Sequence, residues 1–215
     1  IRGGIEVLGI HHGYSGLEQY NAETRPMIEG EDYRVMTPRE LRGLRNSRGI
    51  CIGTARANPG RQITTPAHFT DPERNASLAR THAALASLDV DALISIGGDG
   101  TLMTANSLHR YQETLPADAH RVRVVHVPKT IDNDLLGTDE TFGFNSAVEF
   151  ATLAVDRLHS TAESHDRIMV LEVMGRDAGF IALHSGVAGG ADSILIPEIP
   201  FDLERVAERV LERKK

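Results

Sequence analysis

The sequence predicts an α/β protein with a Rossmann-like, three-layer αβα build around parallel sheets. Three observations carry this expectation. Short apolar runs alternate with segments whose apolar residues recur at helical spacing, the order that buries a parallel sheet between helices. One such run, Ala92–Ile96, passes directly into Gly97-Gly98-Asp99-Gly100-Thr101, a strand followed by a glycine turn and a helical pattern. Predicted strands also end in three polar, ionisable loops, Gly97–Thr101, Pro128–Asp134 and Met174–Gly179, and such sheets bind ligands beyond the carboxyl ends of their strands.

Taken in order, Ile5–Ile10 reads as a strand and His11–Leu17 as the loop leaving it. His11 and His12 point to opposite faces of an extended backbone, so they cannot chelate a metal together. Residues 18–36 are polar and without pattern. Thr37 is placed as an N-cap, Pro38 as the first helical residue and Glu40 as the partner in a capping box, for a helix to about Arg45. Gly49–Gly53 reads as a short strand with Cys51 packed in the core, and residues 57–71 as a Pro-, Gly- and Thr-rich loop.

Asp71-Pro72 opens a helix to about Leu88, with Leu78, Leu85 and Leu88 on one side. The run Ala92–Ile96 is apolar enough to be covered on both faces. Leu102, Met103, Ala105 and Leu108 then mark a helix. Arg121–Val127 is a strand, and Val148, Ala151, Val155 and Leu158 mark a helix beginning at Phe144. Strands over Ile168–Val173 and Ser193–Ile196 enclose a helix over Phe180–Ala188. Asp202 caps a last helix, whose end carries Arg213, Lys214 and Lys215, favourable for its dipole. A domain boundary falls near Gly143, dividing the chain into 1–143 and 144–215.

The chain has 215 residues, 40% hydrophobic and 25% charged, enough for a substantial core and with no run long enough to span a bilayer. A net charge of −7 argues against general nucleic-acid binding. The single cysteine, Cys51, excludes an internal disulfide and fits a reducing cytoplasm.

The glycine turn can hold a phosphate on backbone N–H groups, and Asp99 within it can hold Mg²⁺ bridging phosphate oxygens. The plainer alternative is a tight turn with Thr101 as a helix cap. Pro128–Asp134 offers a lysine, a hydroxyl and two carboxylates within a short loop. Phosphoryl transfer to an alcohol needs a metal, phosphate-holding donors, a base and cations. Asp99 with the glycine amides supplies the first two, a carboxylate of the second loop the base, and Arg176 a cation suited to phosphate oxygens. The alternative for Asp132 and Asp134 is a solvated Asx turn.

GGDGT, PKTIDND, TFGFNSAVEF and VMGRDAGF, in this order and spacing, resemble the phosphofructokinase family. NAD kinases and diacylglycerol-type lipid kinases share the first motif but not the PKTIDND–MGRDAG pair. The resemblance implies a two-domain phosphofructokinase-like architecture, with 1–143 the phosphoryl-donor domain and 144–215 the sugar-phosphate domain. It implies phosphoryl transfer to the 1-hydroxyl of fructose 6-phosphate, a step of glycolysis, by a cytoplasmic homo-oligomer, dimer or tetramer. Asp132 would be the base, with Thr130 and Arg176 stabilising the transferring phosphoryl group. Asp99 would hold Mg²⁺. Arg56, Ala57, Gly98, Gly100 and Thr101 would line the donor. Lys129, Ile131, Arg167, Met174 and Gly175 would join Thr130, Asp132 and Arg176 around the sugar phosphate.

Gly100 resembles the ATP-using members, since pyrophosphate-using members usually carry an aspartate there, whereas Lys129 resembles the pyrophosphate enzymes. The combination favours ATP, with pyrophosphate as the alternative. By the same resemblance, an opening strand with its own phosphate loop would precede Ile1, and a last third with further sugar-phosphate contacts would follow Lys215. His159 stands where many allosteric bacterial members carry an effector-binding arginine. A non-catalytic, truncated relative that binds nucleotide or sugar phosphate is the reading from another class.

Overall fold

The structure is a computed structural model that describes residues 3–44 and 49–213. The chain forms two compact units, Ile1–Val127 and Pro128–Lys215. The division falls on the strand that leads into the PKTIDND loop, and Gly143 lies inside the second unit.

In the first unit, β1 (Leu8–Ile10) pairs antiparallel with β2 (Tyr33–Val35), Leu8 opposite Val35 and Ile10 opposite Tyr33. β1 is shorter than its apolar run, and β2 lies in the stretch that carries no pattern. A three-residue strand is too short for alternation to show. Long-range bonds specify it instead. The His11 amide donates to the Asp32 carbonyl at 2.7 Å. The nearly buried Asp32 carboxylate accepts from Arg25 Nη1 (2.8 Å), Arg25 Nη2 (2.6 Å) and the Ile28 amide (3.0 Å).

Helix α1 (Pro38–Leu44) starts with proline at its first position, as predicted, and the Leu41 amide donates to the Thr37 carbonyl at 3.2 Å. The Glu40 side chain and Arg45 lie outside the described residues. The predicted strand at residues 49–53 is instead a turn. The Gly53 amide donates to the Ile50 carbonyl at 3.2 Å and Gly53 takes φ +68°, a left-handed conformation suited to glycine. Cys51 is consequently exposed, not core, and Ile50 is 56% exposed.

Helix α2 (Ala76–Ser87) begins later than Asp71, because that carboxylate accepts from the Glu73 (2.9 Å) and Arg74 (3.3 Å) amides in an Asx turn. Leu78 and Leu85 are fully buried, with Leu17, Phe69, Leu108 and Tyr111 in the same core.

Strands β3 (Ala92–Gly97), β4 (Arg123–Thr130) and β5 (Phe142–Gly143) form one sheet in that order. The Arg123 amide donates to the Asp91 carbonyl at 2.9 Å, so β3 and β4 start side by side. β3 is not covered on both faces as predicted. Ser95 and Gly97 are buried, whereas Ile94 and Ile96 are 65% and 57% exposed. Helix α3 (Asp99–Glu113) packs on this strand, and no described residue covers the isoleucine face.

Gln112 on α3 substitutes for a strand neighbour. Its Oε1 accepts from the Val122 amide at 2.7 Å and its Nε2 donates to the Val122 carbonyl at 3.0 Å. Arg121 adds guanidinium bonds to the Gln112 carbonyl in the last turn of the helix and to the Leu115 and Pro116 carbonyls just beyond it.

In the second unit, α4 (Phe144–His165) begins where predicted, α5 (Phe180–Ala188) matches its predicted span, and the two share a small core of Phe144, Ala151 and Ile181. The Phe144 ring meets Phe180 and His184 edge-on at 6.3 and 5.2 Å between centroids. The backbone of Gly189 lies close against Val155, and His159 Nε2 bonds the Gly189 carbonyl at 2.8 Å. Helix α6 (Leu203–Arg213) is capped as predicted, the Asp202 carboxylate accepting from the Glu204 amide at 2.8 Å. The Arg213 side chain, Lys214 and Lys215 lie outside the described residues.

The strands predicted over 168–173 and 193–196 are not formed; these segments have no ladder partners among the described residues. An apolar run favours extension, but a strand also needs an edge to pair with. Ile168 and Val170 are accordingly 66% and 89% exposed. Among the described residues no helix is long and apolar enough to cross a membrane.

Candidate active site

The glycine turn lies in the first unit. Gly97 ends β3 in a buried position, where a β-carbon would collide with the Thr101 side chain. Gly98 (φ −85°, ψ −160°) then carries the extended chain into α3. Its carbonyl accepts from the Thr101 amide at 3.0 Å and the Leu102 amide at 2.9 Å. The N–H groups of Asp99 and Gly100 precede these bonds and have no acceptor within the helix. Gly98, which has no side chain, holds the N-cap position of α3 in place of Thr101. Asp99 is exposed, and among the described residues no group of three His, Cys, Asp or Glu side chains could hold a metal ion.

A residue that the sequence reading passed over supports this turn. Fully buried Thr104 donates from Oγ1 to Asn58 Oδ1 at 2.6 Å and accepts from the Gly60 amide at 3.4 Å. Gly60 sits so close that a β-carbon would come within 3.0 Å of the Thr104 Cα. The segment after Arg56 and Ala57 is thereby pinned to the start of α3. Arg56 is exposed and Ala57 half-buried. The signal was present as Asn58-Pro59-Gly60, a turn triplet inside the stretch read only as loop.

The same unit holds His126, on β4. Both its ring nitrogens are buried without a hydrogen-bond partner. Burial pushes its imidazole below the usual range, against the opposing influence of the Gly97 and Ser95 backbone.

The second loop lies in the second unit. β4 and β5 pair in parallel there, Lys129 opposite Phe142 and Thr130 opposite Gly143. Beyond them the chain turns through Asn133, at φ +57°. Asn133 Oδ1 accepts from the Thr141 amide at 2.8 Å, and buried Thr141 donates from Oγ1 to the Thr130 carbonyl at 2.7 Å. These bonds clip the loop shut at its base.

Inside the clip, the Asp132 amide donates to Thr130 Oγ1 at 3.2 Å. Asp132 Oδ1 is buried with no partner. Loss of solvation raises this carboxyl above the usual aspartate range, the nearby Asp134 charge raises it further, and Thr130 opposes both. The solvated-turn reading therefore suits exposed Asp134 but not Asp132. Ile131 turns toward the Phe144 core, and Lys129 is exposed.

The third loop makes a tight turn in the same unit. Gly175 is buried at φ +141°, where a β-carbon would strike the Ala178 carbonyl, and that residue's amide returns a bond to the Gly175 carbonyl at 2.9 Å. Arg176 follows at φ +53°, 90% exposed, 3.5 Å from Asp177. Met174 is exposed as well. Arg167, exposed, follows α4 and closes its end by donating its amide to the Ala162 carbonyl at 2.9 Å. No hydrogen bond or ion pair among the described residues joins Arg167, Met174 or Arg176 to Asp132.

Known proteins resemble this chain along its length. The family model described as Phosphofructokinase matches residues 1–215. An ATP-dependent 6-phosphofructokinase of Chloroflexus aurantiacus is 46% identical over 98% of this chain and 52% of its own length. A pyrophosphate–fructose 6-phosphate 1-phosphotransferase of Streptomyces coelicolor is 48% identical over 88% of this chain and 49% of its own. Among solved structures, the T-state phosphofructokinase of Pichia pastoris superposes with a TM-score of 0.77 at 31% identity, over 97% of this chain and 21% of that one. The chain spans about half the length of the curated relatives it matches.

Proposed function

Because the chain belongs to the phosphofructokinase family, we propose that it transfers a phosphoryl group from ATP to the 1-hydroxyl of fructose 6-phosphate. The observation that carries this reading is the environment of Asp132. A carboxylate oxygen buried without a partner, with its pKa raised, is poised to take a proton from a bound alcohol.

In this assignment Asp132 removes the proton of the 1-hydroxyl as that oxygen bonds to the terminal phosphorus of the donor. The bond from this phosphorus to the bridging oxygen breaks, and ADP leaves with the electron pair. Thr130 and Arg176 stabilise the transferring group, Arg176 as a fork of donors free to turn toward a ligand. Lys129, Ile131, Arg167, Met174 and Gly175 line the acceptor. Gly98, Gly100 and Thr101 hold donor phosphates with Arg56 and Ala57.

A lone exposed carboxylate such as Asp99 suits Mg²⁺, which keeps several waters and takes its other ligands from substrate phosphates. When bound, the ion would neutralise charge on those phosphates. The first unit is thus proposed to serve the donor and the second the acceptor.

A coupled assay with fructose 6-phosphate, run with ATP and with pyrophosphate at matched concentration, tests the proposal. Turnover with ATP and not pyrophosphate is expected, because Gly100 leaves room and no charge beside the phosphates. Faster turnover with pyrophosphate would make Lys129 the better indicator. No turnover with either would favour a binding protein.

A further inference from the structure

Resting on that reading of the glycine turn, we infer that Asn58 is a specificity-determining residue of the donor site, its side-chain N–H held toward Gly100 by Thr104 to recognise a donor phosphate oxygen.

The geometry of three residues fixes the orientation of the amide. Thr104 Oγ1 accepts from the Gly60 amide at 3.4 Å, so its own hydrogen is left to donate, and Asn58 Oδ1 receives it at 2.6 Å. With the amide reversed, the Thr104 hydroxyl hydrogen would lose the Asn58 oxygen as its acceptor and face an N–H instead. Thr104 is fully buried, so water cannot substitute. The other end of the amide, Nδ2, therefore faces Gly100, 3.1 Å from where a β-carbon would stand. No acceptor among the described residues takes this N–H pair.

A Cα–Cβ bond in a helix tilts toward the N-terminus, so Nδ2 flanks the opening turn of α3 on the side where the donor phosphates are assigned. The absence of a side chain at residue 100 keeps that N–H available. An aspartate there would bring its carboxylate onto Nδ2, occupying the donor and adding negative charge beside the phosphates. Gly100 and Asn58 thus act as a pair: the glycine leaves the space, and the amide supplies the hydrogen bond within it.

The test is Asn58→Asp in the purified protein. Its shape and its bond from Thr104 are retained, but the N–H facing the phosphates becomes a carboxylate oxygen. The KM for the nucleotide is expected to rise about tenfold or more, the scale of a lost hydrogen bond to a charged group, while the KM for fructose 6-phosphate and the thermal midpoint stay close to the parent. Thr104→Val, which frees the amide to rotate, should raise the nucleotide KM by a smaller factor, and Thr104→Ser, which keeps the hydroxyl, should restore it.

A nucleotide KM within twofold of the parent in Asn58→Asp, or an equal rise in both KM values, would overturn the inference while leaving the phosphofructokinase reading intact. A parent protein that turns over fructose 6-phosphate with neither ATP nor pyrophosphate would remove that reading and the role of Asn58 with it. If pyrophosphate proves to be the donor, the same KM split is expected for it.

Discussion

Asp132 combines a buried carboxylate oxygen that has no partner with a neighbour, Asp134, of like charge. Replacing it by asparagine keeps the shape and removes the ability to accept a proton. Asp132→Asn is expected to lower kcat by on the order of 10²-fold or more, with the KM for the sugar phosphate changed far less. Steady-state kinetics check this, and a kcat within about threefold of the parent would remove Asp132 from the role.

The pH profile follows from the same environment. A base acts only when ionised, so a raised pKa places the acid limb of kcat/KM above the range of an ordinary aspartate. Burial is the larger cause and remains in Asp134→Asn, whereas the repulsion is lost. The limb should therefore move to lower pH in that variant without vanishing. A limb unmoved, or moved upward, would show that another group titrates there.

Two elements owe their positions to polar side chains acting at a distance in sequence. Gln112 satisfies both backbone groups of Val122, inside the hydrophobic core, and so fixes where β4 begins beside α3. Gln112→Leu would leave a buried N–H and C=O unpaired and is expected to destabilise the fold by about 2–4 kcal/mol. Urea denaturation measures this, and a loss below about 0.5 kcal/mol would mean that the strand start finds other partners.

Asp32 has the same standing for β2. Its bond from Arg25 holds the carboxyl below the usual range, with the Ile28 amide assisting. A depressed folded-state pKa gives stability that is present above the unfolded value and is lost as pH falls through the folded one. Arg25 is 39% exposed, so solvent screens part of the attraction. Asp32→Asn should cost about 1–2 kcal/mol at neutral pH and flatten the acid dependence of stability. Thermal melts across the acid range compare the two proteins.

At the scale of the whole chain, the second unit exposes much apolar surface. Phe150 is 78% exposed, Val170 89% and Leu211 61%. A groove of about 720 Å³ runs past Val155, Leu158, Ile168, Leu171 and Val210. Exposed apolar surface drives association in water where it is extensive. The polypeptide of 215 residues is expected to bind an apolar dye and to self-associate as concentration rises. Light scattering over a concentration series reads this directly, and a monodisperse monomer that leaves the dye dark would contradict it.

Helices α3, α4, α5 and α6, the turn around Asp99 and the family are all legible in the sequence. Each depends on neighbours within a few residues: helical spacing, an N-terminal cap such as Asp202, or glycines where a side chain would collide, as at Gly97 and Gly175. The tertiary structure alone decided which apolar runs became strands. Ala92–Ile96 found a partner, whereas Ile168–Val173 and Ser193–Ile196 did not, because pairing depends on a distant edge and not on the run itself. It also decided the state of individual side chains. Cys51 lies in an apolar run and Asp132 in a polar loop, yet Cys51 faces solvent and an Asp132 oxygen is buried alone. Burial is set by what packs from elsewhere in the chain, so the sequence shows a turn at Asn58-Pro59-Gly60 but not the pairing of Asn58 with Thr104 across 46 residues.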